Sequence, residues 1–319
     1  MSMKNSNRRR WPALFVISFV ALTLHSCGKQ EKPAATQAPT TAMSFAAPED
    51  ASKALVNAVK SDNGQELLKI FGAGAKDLIY SGDPQQDQAS FKGFISDYDV
   101  MHRWRTLVNG SQILLTGTDN KAFPIPLMKN SAGQWFFDTE AGKQEMFARR
   151  IGRNELAAID VCAAIGEAQL QYYAQRHDGT QQFAQKFISD EGKQNGLYWQ
   201  SADGQPKSPL GPLVAFATSE GYNLKPDSHQ PFHGYFFRML EKQGSDAKGG
   251  AKDYVVNGTM TRGFAVLAYP AKYGDSGIMT FMINQDGVVY QKDLGKTTDQ
   301  LAAAITEFNP DKSWRPVGL

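Results

Sequence analysis

The sequence predicts an α+β chain in two parts. Three observations lead there. Helix-like patterning over residues 45–101 gives way to short, alternating, turn-punctuated segments over 102–138. A long apolar-rich stretch, 154–175, is then followed by a second set of strand-like segments between residues 234 and 292. The order helices-then-strands, twice over, is the pattern of α+β units. The third observation is length: 319 residues exceed one average domain.

The first 44 residues stand apart from this pattern. Residues 4–10 carry Lys4, Arg8, Arg9 and Arg10, and residues 13–24 are an apolar run too short to span a bilayer. Leu24, His25, Ser26 and Cys27 follow. Leu at −3, a small residue at −1 and Cys at the cleavage point resemble a bacterial lipobox. That resemblance implies a signal peptide over 1–26, acyl chains on Cys27 and anchoring to a membrane, since two or more chains make attachment stable. Gly28 after the cysteine is similar to lipoproteins sent to the outer membrane, on its periplasmic face. Residues 27–44, rich in Pro, Ala, Thr and Gln without periodicity, read as a flexible tether. Loss of the four leader cations takes the formal net charge from +2 to −2. No Lys/Arg run remains for a phosphate backbone, which argues against nucleic acid as a partner.

The first domain is expected over 45–145. Pro48 opens a helix whose buried face is Ala51, Ala54, Leu55, Ala58 and Val59. Asn63 and Gly64 break it, a second short helix runs through Leu67, Ile70 and Phe71, and Gly72 stops that one. Asp83 before Pro84 is an N-cap and first-turn pair for a third helix bearing Phe91, Phe94, Ile95, Tyr98 and Met101. Strands are expected over 102–108, 113–116, 123–128 and 134–138, with Pro124 and Pro126 making the third an edge. This element order resembles the cone-shaped fold of the nuclear-transport-factor-two and SnoaL-like group.

The second domain is expected over 146–319. In residues 154–175 the polar residues Asp160, Glu167, Gln171 and Gln175 share one stripe. Leu156, Ile159, Ala163, Gly166, Leu170 and Tyr173 form one apolar row, and Ala158, Val161, Cys162, Ile165 and Tyr172 a second. A helix apolar over most of its circumference is buried on several sides, so both rows are expected inside, with Cys162 a small buried hydrophobe. Because Cys27 is taken by lipid, no intramolecular disulfide is expected. A short helical piece through Phe183 and Phe187, and a helix from Pro212 to Gly221, come next. Strands are expected over 234–240, 263–269, 278–284 and 288–292. A last helix capped by Thr298 turns Leu301, Ala304, Ile305 and Phe308 inward, and Trp314 pins the tail.

Two further resemblances follow. SGDP (81–84), FPIPL (123–127), RRIGRNELAAI (149–159), GLYW (196–199), SPLGPLV (208–214), HGYFFR (233–238) and NQDGVVYQKDLG (284–295) are similar to the bacterial family filed as domain of unknown function 2950. What this implies is an exported, often lipidated protein. More distantly, the long helix with GYFFR, GFAVLAYP and FMINQDGVVY resembles type IV pilin and pseudopilin heads, in which a helix packs on an antiparallel sheet. Here residues 45–145 precede that helix, which goes against filament assembly by the pilin route.

Candidate chemistry is sparse. GDSG (274–277) lacks the Gly-Pro continuation of the trypsin-like nucleophile motif and reads as a turn. His229 and His233 have metal-ligand spacing, with Asp227 nearby, but Pro231 between them removes the helix that spacing needs. His177 with Asp178 offers one carboxylate, too few for calcium. Asp138 and Glu140, two apart at a strand end, would share a face. Trp104, Phe123, Trp135 and Phe137 could line a pocket in the cone. No Gly-rich phosphate loop joins a strand to a helix, so no cofactor is expected. The expectation is an envelope-anchored lipoprotein acting as a non-catalytic binding or assembly module with an envelope protein as partner. The alternative is a periplasmic hydrolase or small-ligand binder using the aromatic residues or the groove between domains.

Overall fold

The structure is a computed structural model that describes residues 42–177, 179–202, 204–224 and 230–318. The leader, Cys27, most of the tether, Asp178, Asp227 and His229 lie outside the described residues.

Pro48 sits in the first turn of α1 (Pro48–Lys60), where its missing N–H costs nothing. Asn63 caps α2 (Gly64–Phe71) by accepting from the Glu66 N–H at 3.1 Å. A 3-10 turn and α3 (Lys76–Ile79) lead to Asp83, whose carboxylate accepts from the Gln86 N–H at 3.2 Å and caps α4 (Pro84–Val100). Five strands follow: β1 (His102–Thr106), β2 (Gln112–Thr116), β3 (Lys121–Ala122), β4 (Leu127–Lys129) and β5 (Trp135–Phe137). They pair antiparallel in the order β1-β2-β4-β5, with β3 also on β2. The strand expected over 123–128 is therefore interrupted and is not an edge. Pro124 and Pro126 cannot donate to a ladder, so pairing survives only on either side of them, and β4 is enclosed by β2 and β5.

The central element is α5 (Thr139–Gln175), 37 residues long and starting well before residue 154. Asp138 caps it by accepting from the Ala141 N–H at 3.1 Å, so Asp138 and Glu140 are a helix start rather than a carboxylate pair on a strand. Gly142 lets its first turns press onto the 123–127 segment: a Cβ there would stand 2.7 Å from Ile125 Cγ1 and 2.8 Å from its Cα. The first core collects Leu55, Ile70, Phe71, Ile125, Leu127 and Phe137, with Met146 of α5 packed against it.

Further along, α5 enters a second core. After α6 (Gly211–Ser219) come β6 (Tyr235–Leu240), the short pairs β7 (Lys242–Gln243) with β8 (Lys252–Asp253) and β9 (Val255–Val256) with β10 (Thr259–Met260), then β11 (Ala265–Pro270), β12 (Met279–Asn284), β13 (Tyr290–Asp293), α7 (Thr298–Ala304) and β14 (Arg315–Pro316). The main sheet runs β14-β13-β12-β11-β6, every pair antiparallel. Ala158, Val161, Cys162, Ile165 and Tyr172 are buried in the same core as Val266, Phe281 and Ile283 of β11 and β12. The fold is thus α+β with antiparallel sheets.

Further expectations are corrected. Of the two apolar rows on α5, only the second is buried throughout; Leu156 is 67% and Leu170 52% exposed. Residues 183–187 form no helix, because the Ala184 N–H and C=O are both taken by the buried Gln169 side chain at 2.8 Å. In α7 the inward residue is Ala302, whereas Leu301 faces out at 45% exposure; Phe308 is buried beyond the helix end. The Thr298 hydroxyl donates back to the Gly295 carbonyl rather than capping the helix. Among the described residues no helix is long and apolar enough to cross a membrane.

Candidate functional site

α4 is fastened at both ends and loosely held between. At its start, Tyr222 O–H donates to the capping Asp83 at 2.7 Å, and Gln86 Nε2 donates to Asn154 of α5 at 2.9 Å. At its end, Tyr98 O–H donates to Ser52 of α1 at 3.2 Å and its ring stacks on His102 with centroids 3.8 Å apart. Gln86 and Tyr98 are its only buried residues. The turns between them roof a cavity of about 420 Å³. Its walls are mainly apolar: Val59 from α1, Phe71 from α2, Phe91 and Phe94 from α4, Phe123, and Met146 from α5. Phe123 is the hub, its ring 5.4 Å from Phe94, 6.3 Å from Phe71 and 5.9 Å from Phe137.

Of the aromatics singled out in the sequence, Phe123 lines this cavity and Phe137 lies fully buried behind it. Trp135 is buried beside them, its backbone bridged to Phe45. Trp104 is half-buried on β1, its indole N–H enclosed and without an acceptor among the described residues. The parts that sequence reasoning missed are the roof and the mouth. The α4 apolar residues have the spacing of ordinary core, and the arginines of α5 precede the stretch 154–175 that the sequence marks as a helix.

The mouth lies where Asp87 and Asp97 of α4 face Arg149, Arg150 and Arg153 of α5, with Lys121 beside them. Lys121 pairs with Asp97 at 2.9 Å. Arg149 donates to Glu145 and to the Ala122 carbonyl, each at 2.7 Å. Both Asp87 oxygens accept from the Ser81 N–H at 3.1 Å, and burial raises the pKa of that carboxylate. Arg153 makes no hydrogen bond or ion pair with a described residue, and burial followed by the Arg150 charge lowers its pKa.

Arg150 turns away from the mouth. It donates to the carbonyls of Asp77 at 2.9 Å and Leu78 at 2.7 Å, and pairs with Asp275, both side chains being 7% exposed. The GDSG turn is thereby explained. Asp275 meets Arg150, and Lys272 at 2.9 Å, while the Ser276 hydroxyl is spent on the Lys272 backbone. His233, at φ 49°, places Nε2 3.1 Å from Glu220 Oε2. Among the described residues no group of three or more His, Cys, Asp or Glu is placed to hold a metal. Cys162 is fully buried, and burial pushes its thiol up to about 12.

The segments SGDP, RRIGRNELAAI and HGYFFR, far apart in the chain, meet beside this mouth. Asp83 and Gln86 reach Tyr222 and Asn154, and Asn154 Nδ2 donates to the Ser276 carbonyl at 2.8 Å. Gly234, at φ 73°, lies so close that a Cβ would stand 2.5 Å from Asn154 Nδ2. The family model described as "Protein of unknown function (DUF2950)" matches residues 42–317. The chain belongs to the DUF2950 family. The match takes in both cores, α5 and the cavity. No curated protein and no solved structure matches the chain. The expected likeness to type IV pilin heads is not shown by these comparisons.

Proposed function

We propose that this DUF2950 chain is a non-catalytic binding module of the bacterial cell envelope, anchored through lipid on Cys27, whose cavity beneath α4 takes a small, largely apolar ligand. The observation that carries the reading is the cavity itself. Folding normally closes apolar space to crystal-like density, yet here Phe91, Phe94 and Phe123 line about 420 Å³ of it, within the range of small-molecule sites. Residues 45–145 and 146–319 are read as two modules meeting within α5, the first holding the ligand and the second, pilin-head-like in element order, giving an envelope protein partner the exposed Leu156 and Leu170.

The cavity is tested with a neutral, environment-sensitive naphthylamine dye. Ser90 lines the cavity from a solvent-accessible position on α4, so Ser90→Trp fills it with little cost to the fold. Saturable fluorescence in the wild type and its loss in Ser90→Trp is the expected result; equal fluorescence in both contradicts the reading. For the anchor, Cys27→Ser should abolish incorporation of labelled palmitate, and unchanged labelling sinks the lipid attachment.

A further inference from the structure

Most of the charged side chains at the mouth of the cavity already have a protein partner. Lys121 is satisfied by Asp97, Arg149 by Glu145 and the Ala122 carbonyl, and Arg150 by Asp275 and two carbonyls. Both Asp87 oxygens are used by Ser81. Of the cations at the mouth, Arg153 is the one with no hydrogen bond or ion pair to a described residue, and its guanidinium is a fork of donors at the rim of an apolar chamber. The Arg153 side chain is solvent-accessible and has no acceptor among the described residues, and the planar fork of a guanidinium fits a carboxylate with two parallel bonds.

From this we propose that the ligand is a free single-chain amphiphile with a carboxylate head: its hydrocarbon tail lies under α4 against Phe94, Phe123 and Met146, and its head is held by Arg153. The proposal rests on the binding reading above and adds the ligand's class. One chain rather than two follows from the volume, which lies near the lower end of the small-molecule range. Asp87 opposes the head across the mouth without touching Arg153, so it weakens the same interaction that Arg153 makes.

The test is calorimetric titration of the full chain with decanoate, decanol and decyltrimethylammonium, all below their micelle concentrations. Decanoate should bind on the order of ten- to a hundredfold more tightly than decanol, the span of one charge-assisted pair, and the cation most weakly. Arg153→Gln should remove that preference while leaving decanol binding and the unfolding midpoint in place. Arg153→Lys should restore part of it, and Asp87→Asn should strengthen decanoate binding. If decanol binds as tightly as decanoate and Arg153→Gln changes nothing, the carboxylate class is overturned and the cavity reading stands. If none of the three binds, both fall. Binding to phosphatidylglycerol vesicles with no heat from decanoate would make the ligand a bilayer lipid and likewise overturn the proposal.

Discussion

Arg150 shows how much of this fold depends on single polar contacts between distant segments. It joins α5 to the Asp77–Leu78 backbone and to the turn bearing Asp275. Arg150→Met leaves a buried carboxylate with only Lys272 beside it, and should cost about 3 kcal/mol, the lower end for breaking a buried pair. Lys272→Met removes the other partner of the same carboxylate, but Lys272 is 56% exposed, and the loss should be under about 1 kcal/mol. Denaturant unfolding of the two variants measures the contrast; equal losses would mean that Asp275 does not depend on Arg150. Residue-scale legibility was uneven for a physical reason. A turn at GDSG and a buried Cys162 are local properties, set by glycine spacing and by one helix face. The partner of Asp275 lies 125 positions away, and no local pattern carries that separation.

Periodicity reads a helix's apolar breadth but not which part of it the rest of the chain covers, and α5 illustrates the difference. Two adjacent apolar rows are visible in the sequence, and the second core buries all of the second row but only part of the first. Gly166 of the first row is buried, with Ile283 3.3 Å from where its Cβ would lie, while Leu156 and Leu170 are left outside. Ile165→Ala should therefore cost about 2–5 kcal/mol by leaving a cavity, and Leu170→Ala only about 0.5 kcal/mol or less. Unfolding curves showing the reverse order would mean that the helix is turned. The same limit hid the roof of the cavity. Phe91, Phe94 and Tyr98 have the spacing of an ordinary core stripe on α4, and whether packing behind them is complete is not a property of their spacing. The caps, by contrast, were legible because they are local: Asp83 with Pro84 marked the start of α4 as the structure has it.

At the scale of the molecule, α5 draws its first turns from one α+β core and the remainder from another, and the cavity lies in the first, with arginines of α5 at its mouth. The alternation of helices and strands made the α+β class readable. The open space was not, since it arises from how α1, α2, α4 and β-segments fail to close over one another. The most direct test of the cavity reading is methyl NMR of the chain with labelled methionines, titrated with decanol. Met146 lines the cavity, whereas Met239, Met279 and Met282 belong to or pack on the second core. Saturable movement of the Met146 methyl signal, with those three unmoved, is the predicted result. Decanol that binds while leaving Met146 still, or that moves the second-core methionines instead, would contradict the account.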